Sequence, residues 1–269
     1  MRWLVALCSL LCCWFLAFPA SAQVEITAAE LDRGEAIAAD AITAAERGDF
    51  ATAEHYWSQL IERFPSNPAV WSNRGNVEVS QNKLDAAIAD YNQAIQLAPD
   101  APDPYLNRGL VYERQQDWAA AIADYNRVLE IDPEDAFAYN NRGNAAAGQG
   151  DWAMAIADYE RATEIAPDFA FARANRALAL YEIGQKREAL HEMRSLARRY
   201  PVFADIRAAL TAVLWVQGNQ GEAESNWVAA VGLDSRYRNL DWVREVRRWP
   251  PAIATALERF LTLDAPPSS

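Results

Sequence analysis

The hydrophobic and polar positions between Pro68 and Pro167 repeat with a period of 34 residues. Each of three copies holds an Asn-Arg-Gly segment and then an Ala-Ile-Ala-Asp-Tyr segment, and each copy ends at a proline. Alanine is abundant and β-branched residues are few, which favours helix, so the two segments predict two helices per copy. A helix pair of this length cannot bury its apolar face alone. The pattern therefore predicts an all-α stack in which neighbouring copies complete each other's core.

Weaker copies flank the three regular ones. Pro65 lies one period before Pro99, and Pro201 lies one period after Pro167. We predict a solenoid of about six helix pairs within residues 23–235. The pairs are expected near residues 34–67, 68–101, 102–135, 136–169, 170–203 and 204–235.

Two short capping helices are predicted after the last pair, within residues 236–264. Pro250 and Pro251 separate them, because proline interrupts a helix. Their apolar residues suit them to cover the last exposed face of the stack. The expected spans are residues 240–249 and 252–263 for the helices, and residues 265–269 for a flexible tail.

Residues 1–22 have the pattern of an export signal. Arg2 precedes an apolar run, and the small residues that end at Ala22 match a signal-peptidase site, so cleavage is expected before Gln23. An uncleaved anchor is the alternative. All three cysteines lie in this segment, so the mature chain is expected to form no disulfide.

Charge is distributed unevenly along the chain, whose net charge is −12. Residues 23–185 hold 27 acidic and 12 basic residues, whereas residues 186–259 hold 9 acidic and 12 basic residues. The acidic part argues against a nucleic-acid partner, because nucleic acid binds to cationic surfaces. The C-terminal arginines either meet an acidic partner or an anionic lipid surface, or form a solvated face with internal ion pairs. These arginines are Arg194, Arg198, Arg199, Arg236, Arg238, Arg244, Arg247 and Arg248.

An arginine recurs at one position of four copies, and an acidic residue follows each arginine by 16 positions. The first and last copies lack both members. This co-occurrence predicts an ion pair between the two helices of each central repeat. A row of catalytic acids is a poorer interpretation, because catalytic carboxylates must converge on one bond. The predicted pairs are Arg74 with Asp90, Arg108 with Asp124, Arg142 with Asp158, and Arg176 with Glu192.

The sequence lacks the motifs of common catalytic and metal centres, including HExxH, paired CxxC, GxSxG and a phosphate-binding glycine loop. His55 and His191 occupy equivalent positions in copies that are several helix layers apart, so they cannot share a metal ion. We therefore expect no enzymatic activity and no cofactor.

The spacing of the aromatic, glycine, alanine, tyrosine and proline positions resembles the tetratricopeptide repeat. The resemblance covers nearly all of the chain after residue 22. It implies a right-handed α-solenoid whose concave wall is formed by the first helix of each pair. The Asn-Arg-Gly and Ala-Ile-x-Asp-Tyr segments are similar to those of cyanobacterial and plastid repeat proteins, which, together with an export signal, implies a thylakoid lumen or a periplasm.

The resemblance also implies a partner-binding surface on the concave wall. Phe137 and Phe171 are expected to anchor an extended or helical peptide. Tyr181 and Trp215 either join these anchors or pack against the chain's own C-terminal helices. The expected partner-binding residues are Asn76, Leu106, Leu110, Arg114, Phe137, Asn140, Asn144, Phe171, Leu178, Tyr181 and Trp215.

A carboxylate clamp for acidic C-terminal tails is not expected, because Lys83 and Lys186 lie at a turn and at the start of a second helix. The resulting hypothesis is a non-enzymatic scaffold or assembly factor that binds a protein or peptide in an exported compartment, for a membrane complex such as a photosynthetic one. It is expected to be a monomer or a weak oligomer. The alternative is a permanent structural subunit or homo-oligomer of a larger complex.

Overall fold

The computed structural model describes residues 27–263, and these residues form helices joined by short turns without a β-strand. The expected export signal, its cleavage site and the C-terminal tail lie outside the described residues. The α-helices are α1 (Ala28–Glu46), α2 (Phe50–Arg63), α3 (Pro68–Ser80), α4 (Leu84–Leu97), α5 (Pro102–Arg114), α6 (Trp118–Ile131), α7 (Ala136–Gln149), α8 (Trp152–Ile165), α9 (Ala170–Glu182), α10 (Lys186–Arg199), α11 (Ala204–Val216), α12 (Gln220–Leu233) and α13 (Pro251–Leu263).

The first twelve helices form six consecutive pairs, which we number as repeats one to six. The helices of each pair pack on each other, and the second helix of each pair packs on the first helix of the next pair. From α3 to α11, the first helix of each repeat also contacts the first helix of the next, so these helices form a common inner wall. The predicted all-α solenoid is therefore confirmed.

A tyrosine of each second helix packs against a glycine of the first helix in the three regular repeats. A Cβ atom added to Gly109 would lie 2.6 Å from Cε1 of Tyr125, and one added to Gly143 would lie 2.7 Å from Cε1 of Tyr159. Side-chain carbons do not approach this closely. Glycine is therefore needed at this position because the tyrosine ring occupies the space of a side chain.

The turn inside each pair uses one residue with a left-handed backbone. Asn82 and Gln116 have φ of 60°, and Gly150 has φ of 82°. These three positions are 34 residues apart, so the turns follow the period of the sequence. Aspartates then begin several second helices: the Asp117 side chain accepts a hydrogen bond from the backbone N–H of Ala120, which satisfies a donor at the helix start.

The C-terminal segment differs from the two predicted capping helices. Residues 240–249 do not form an α-helix; they contain a π-helical turn at Trp242–Val246, preceded by a 3₁₀ turn at Ser235–Arg238. The second predicted helix is present as α13, but it packs mainly on α11 and α9. Because both are first helices, α13 covers the inner wall of repeats five and six and does not extend the stack beyond α12.

The largest apolar core lies where α13 meets this wall. Ile253, Leu257 and Phe260 of α13 are fully buried together with Leu210 and Leu214 of α11. Smaller apolar clusters join the earlier repeats. In the part of the chain that the structure describes, none of the helices combines the length and apolar character needed to cross a bilayer.

Candidate functional site

A cavity of about 1130 Å³ lies on the inner wall of repeats three to five. One side is lined by residues of α5 to α9, and the other side by residues 244–251. We call residues 239–250 the strap. The strap connects the last repeat to α13. The cavity is thus a channel between the solenoid wall and a segment of the same chain.

Asparagine side chains link successive first helices along the wall. Asn76 accepts a hydrogen bond from the Tyr91 hydroxyl at 2.7 Å and from the Asn107 amide at 3.2 Å. Asn144 accepts one from the Tyr159 hydroxyl at 2.9 Å, and the Asn175 amide reaches it at 3.0 Å. Asn144 and Asn175 line the channel, and because a side-chain amide has further donor and acceptor capacity, they present polar groups toward it.

Repeat three departs from this pattern. Leu110 occupies the position that Asn76 and Asn144 hold in the neighbouring repeats, and the Tyr125 hydroxyl donates instead to Glu113 at 2.6 Å. The Glu113 carboxyl is buried. Burial raises its pKa, while the Tyr125 hydrogen bond and the positive charge of Arg248 act in the opposite direction.

Two phenylalanines project from the wall beside the cavity. Phe137 is 64% exposed and Phe171 is 55% exposed. Each ring also contacts a phenylalanine of the loop before the next repeat: the centroids of Phe137 and Phe169 are 4.8 Å apart, and those of Phe171 and Phe203 are 5.2 Å apart. These contacts fix the ring positions, while much of each outer face meets solvent.

The remaining predicted groove residues divide into exposed and buried ones. Asn76, Leu110 and Arg114 are exposed, and Leu106 is partly buried. The Arg114 guanidinium donates hydrogen bonds to the Val79 carbonyl oxygen and to the Asn82 side chain, each at 3.2 Å. Arg114 therefore ties repeat three to the turn of repeat two.

Four predicted partner-binding residues are not freely accessible, which corrects the sequence-based expectation. Leu178 and Tyr181 are buried in the core that contains α13, and Trp215 packs edge-on against Phe260 with centroids 5.1 Å apart. The alternative packing role of Tyr181 and Trp215 is thus the one present. Asn140 is also buried, although it lines the cavity and accepts a hydrogen bond from the Asn175 amide at 3.0 Å.

The four predicted ion pairs are all formed between the helices of the central repeats. In the first three pairs, Nε and Nη2 of the arginine each donate to one carboxylate oxygen of a buried aspartate. The shortest N–O distances are 2.7 Å for Arg74 and Asp90, 2.6 Å for Arg108 and Asp124, 2.6 Å for Arg142 and Asp158, and 2.6 Å for Arg176 and Glu192.

Each of these arginines also reaches the second helix of the preceding repeat. The Arg142 guanidinium donates to Asn126 at 2.7 Å, and Arg176 contacts Glu160 at 2.8 Å. The hydrogen bond with Asp158 is the main reason that the pKa of Arg142 is raised. These residues connect helices within and between repeats, and none of the four pairs appears among the residues that line the cavity.

The strap is the element that sequence reasoning missed. Its anchor is the buried Asp205, whose Oδ1 accepts hydrogen bonds from Trp249 Nε1 at 3.0 Å, from Arg247 Nε at 3.1 Å and from the Tyr237 hydroxyl. Glu182 accepts a hydrogen bond from the backbone N–H of Ala252 at 2.7 Å. The clustering of arginine and tryptophan before Pro250 was the available signal, but nothing in the sequence indicated where it docks.

Six of the C-terminal arginines form internal ion pairs, which matches the second of the two interpretations of the basic segment. Those with carboxylate partners are Arg194 with Glu222, Arg199 with Asp168, Arg236 with Asp234, Arg244 with Glu258, Arg247 with Asp205 and Arg248 with Glu113.

Across residues 27–263, no three His, Cys, Asp or Glu side chains come together in a way that could hold a metal ion.

The geometry defines a helical-repeat protein with a groove along its first helices, and comparisons with known proteins agree. A family model described as a TPR repeat matches residues 75–116, and two described as tetratricopeptide repeat match residues 109–174 and 175–235. The chain belongs to the tetratricopeptide repeat family. A search of curated proteins found no match.

Solved structures with the same fold share little sequence with this chain. A tetratricopeptide repeat protein from Parabacteroides merdae ATCC 43184 is 18% identical with a TM-score of 0.67, over 88% of this chain and 95% of that one. YrrB, described as a TPR protein with an unusual peptide-binding site, is 19% identical with a TM-score of 0.54, over 76% and 97%. MamA is 20% identical with a TM-score of 0.56, over 62% and 91%.

Proposed function

We propose that this protein is a non-enzymatic interaction scaffold that binds a peptide or an unfolded protein segment on the inner wall of repeats three to five. The observation that carries the proposal is the pair Phe137 and Phe171, each more than half exposed beside the open channel. Exposed aromatic rings that line a groove typically serve as binding anchors.

The polar groups of the same wall suit a peptide backbone. Asn144 and Asn175 line the channel and are partly accessible, while Asn140, which also lines it, is buried. Side-chain amides can both donate to peptide carbonyl oxygens and accept from peptide N–H groups. A peptide in the channel would therefore place apolar side chains on the phenylalanines and satisfy its backbone along the asparagines.

Two further observations support a protein ligand. The channel presents phenylalanine rings and asparagine amides, and the carboxylates of Glu113 and Glu182 on the same wall already accept hydrogen bonds from Tyr125 and from the backbone of Ala252. YrrB, which has the same fold, is described as having a peptide-binding site. Both features favour recognition over chemical turnover.

The setting of this function is part of the proposal. The signal-like pattern of residues 1–22 supports export, and we place the scaffold in a thylakoid lumen or periplasm, where it would assist assembly of a membrane complex. The competing role is a permanent structural subunit or homo-oligomer of a larger complex. Size-exclusion chromatography of the mature chain separates them, because a free scaffold elutes as a monomer and a homo-oligomer does not.

The test of the groove is the double variant Phe137→Ala/Phe171→Ala. Peptides selected from a random displayed library on the wild-type chain are measured by fluorescence polarisation, and we expect about tenfold weaker binding or more to the double variant. Helical circular dichroism should not change, because both rings are exposed.

Val202→Ala/Val228→Ala is the matched control, because these side chains are at least as exposed but lie away from the channel. Equal binding by the wild-type chain and the phenylalanine variant would contradict the groove as the binding site.

A further inference from the structure

The strap places one of its own side chains into the groove. Nη1 of Arg248 lies 3.6 Å from Oε2 of Glu113, and the Arg248 guanidinium lies over the Trp118 ring at 5.1 Å from the ring centroid. Glu113 and Trp118 belong to repeat three, while Arg248 belongs to the segment after repeat six. The contact therefore crosses the channel from the strap to the wall.

Glu113 makes this part of the wall a binding site for a cation. The equivalent positions in repeats two, four, five and six are Val79, Ala147, Tyr181 and Trp215, and none of them carries a charge. The Glu113 carboxyl is buried and accepts a hydrogen bond from Tyr125, which holds it in place. A buried carboxylate on a face of aromatic rings is a favourable site for a guanidinium, which pairs and stacks at once.

The Arg248 side chain can leave this site without loss of the strap. It is 37% exposed, whereas Trp249 and Val243 hold the strap through buried contacts and Arg247 pairs with Asp205. Arg248 also has a left-handed backbone with φ of 51°, which is costly for a residue other than glycine, asparagine or aspartate. The strap thus holds an unfavourable conformation at the residue that fills the site.

We propose that Glu113 and Trp118 form a guanidinium-binding site of the groove, which Arg248 occupies until a partner peptide supplies an arginine of its own. This inference rests on the proposed binding of peptides in the channel. Glu113, Trp118, Phe137 and Phe171 line the same cavity, so the partner segment would carry an arginine together with apolar side chains.

The experiment uses the full mature chain and the variant Arg248→Asn. Asparagine tolerates the left-handed backbone and is too short to reach Glu113, so the site is emptied while the strap stays anchored. A random displayed peptide library is selected on this variant. Selected peptides are then synthesised with arginine, lysine or the neutral isostere citrulline at the arginine position and measured by fluorescence polarisation.

We expect the arginine peptide to bind Arg248→Asn about tenfold more tightly than it binds the wild-type chain, because the internal competitor is gone. Citrulline should weaken binding strongly and lysine less so. Glu113→Gln, which keeps an acceptor for the Tyr125 hydroxyl, should remove most of the preference for arginine over citrulline. Arg238→Asn is the matched control, because Arg238 lies over Trp227 and does not line the cavity.

Three outcomes would overturn the inference. Peptides that bind through Phe137 and Phe171 without a preference for arginine would leave the proposed function intact and remove the guanidinium site. An unchanged affinity in Arg248→Asn would show that Arg248 is no competitor. Failure of every form to bind any selected peptide would overturn both proposals. The arginine-to-citrulline comparison on Arg248→Asn alone decides the matter if Glu113→Gln fails to fold.

Discussion

Repeats two to four and repeats five and six share one helix-pair design but complete their inner walls differently. In repeats two to four, bidentate arginine–aspartate pairs join the helices and asparagine amides cover much of the wall. In repeats five and six, the wall presents Leu178, Tyr181 and Trp215, and α13 covers it.

The difference shows which part of the groove is available to a partner. A polar wall is stable in water, whereas an apolar wall gains roughly 25 cal/mol for each Å² that is removed from water. The chain supplies that cover itself in repeats five and six. The proposed binding surface therefore lies on repeats three and four and the uncovered start of α9, where Phe137 and Phe171 are exposed.

The largest expected effect on stability comes from a substitution in α13, the helix that covers the inner wall of repeats five and six. Phe260 is fully buried and its ring centroid lies 5.1 Å from those of both Trp215 and Trp227. We expect Phe260→Ala to lower the free energy of unfolding by about 3–5 kcal/mol, because it leaves a large cavity in the main core. Urea unfolding followed by circular dichroism measures this loss.

The matched control is Phe137→Ala, the same substitution at an exposed site, for which we expect a change below about 0.5 kcal/mol. Amide hydrogen exchange of Phe260→Ala should accelerate first in repeats five and six, because repeats are stabilised by their nearest neighbours. Acceleration that is uniform along the whole chain would contradict the separation of the two regions.

The ion pairs are the corresponding test for repeats two to four. Arg142→Asp should destabilise the chain by about 3 kcal/mol, because Asp158 is buried and would face a like charge. The second change Asp158→Arg should restore part of this loss by re-forming the pair in reverse. The same reversal at the exposed pair Arg161 and Glu164 should change stability by less than about 1 kcal/mol. Absence of any recovery in the double variant would rule out a direct stabilising pair.

The frame of the fold was predictable because it depends on local spacing. A period of 34 residues positions the left-handed turn residues, and the 16-residue separation places Arg142 opposite Asp158. The 16-residue separation lies inside one helix pair, and the 34-residue period relates neighbouring pairs. The positions expected on the inner wall came from the resemblance to the tetratricopeptide repeat, and Phe137 and Phe171 are exposed there.

The path of the strap could not be predicted, because it depends on contacts between distant residues. Trp249 and Arg247 of the strap bind Asp205 of repeat six, and Arg248 reaches Glu113 of repeat three across the channel. Without those partners, residues 240–249 have a helical pattern. The burial of Leu178 was missed for a related reason, because it depends on the packing of α13 on α9.

Glu78 departs from the pattern of the regular repeats, because it places an acidic side chain at a buried position. It is buried in α3, where the equivalent residue of repeat four is Ala146, and its Oε1 lies 3.9 Å from Nε of Arg74. Burial, followed by the charge of Asp90, raises its pKa to about 7 from 4.5. An acid whose pKa is higher in the folded state destabilises the fold once the unfolded chain ionises.

Stability should therefore fall as the pH rises from about 4.5 to about 7. Glu78→Gln should remove this pH-dependent loss, because glutamine does not ionise. We expect the free energy of unfolding of the variant to exceed that of the wild-type chain by on the order of 2 kcal/mol at pH 8, with little difference at pH 4. Urea unfolding at both pH values measures it. Glu113, whose pKa is also raised, is present in both chains, so its contribution to the pH dependence of stability cancels in the difference between them. A difference that is the same at both pH values would mean that ionisation of Glu78 is not its cause.

The smallest expected effect on stability concerns the turns, where neighbouring repeats use different residues for the same left-handed backbone conformation. Gln116 and Gly150 occupy the same left-handed position, with φ of 60° and 82°. A left-handed backbone costs about 1–2 kcal/mol for residues with a Cβ atom, while glycine loses more chain entropy on folding. Gln116→Gly should therefore stabilise the chain by at most about 1 kcal/mol. The reciprocal change Gly150→Gln should destabilise it by a similar or slightly larger amount, and thermal unfolding of both variants measures the pair. Shifts of the same sign in the two variants would show that side-chain contacts, and not the backbone conformation, decide the residue at this turn.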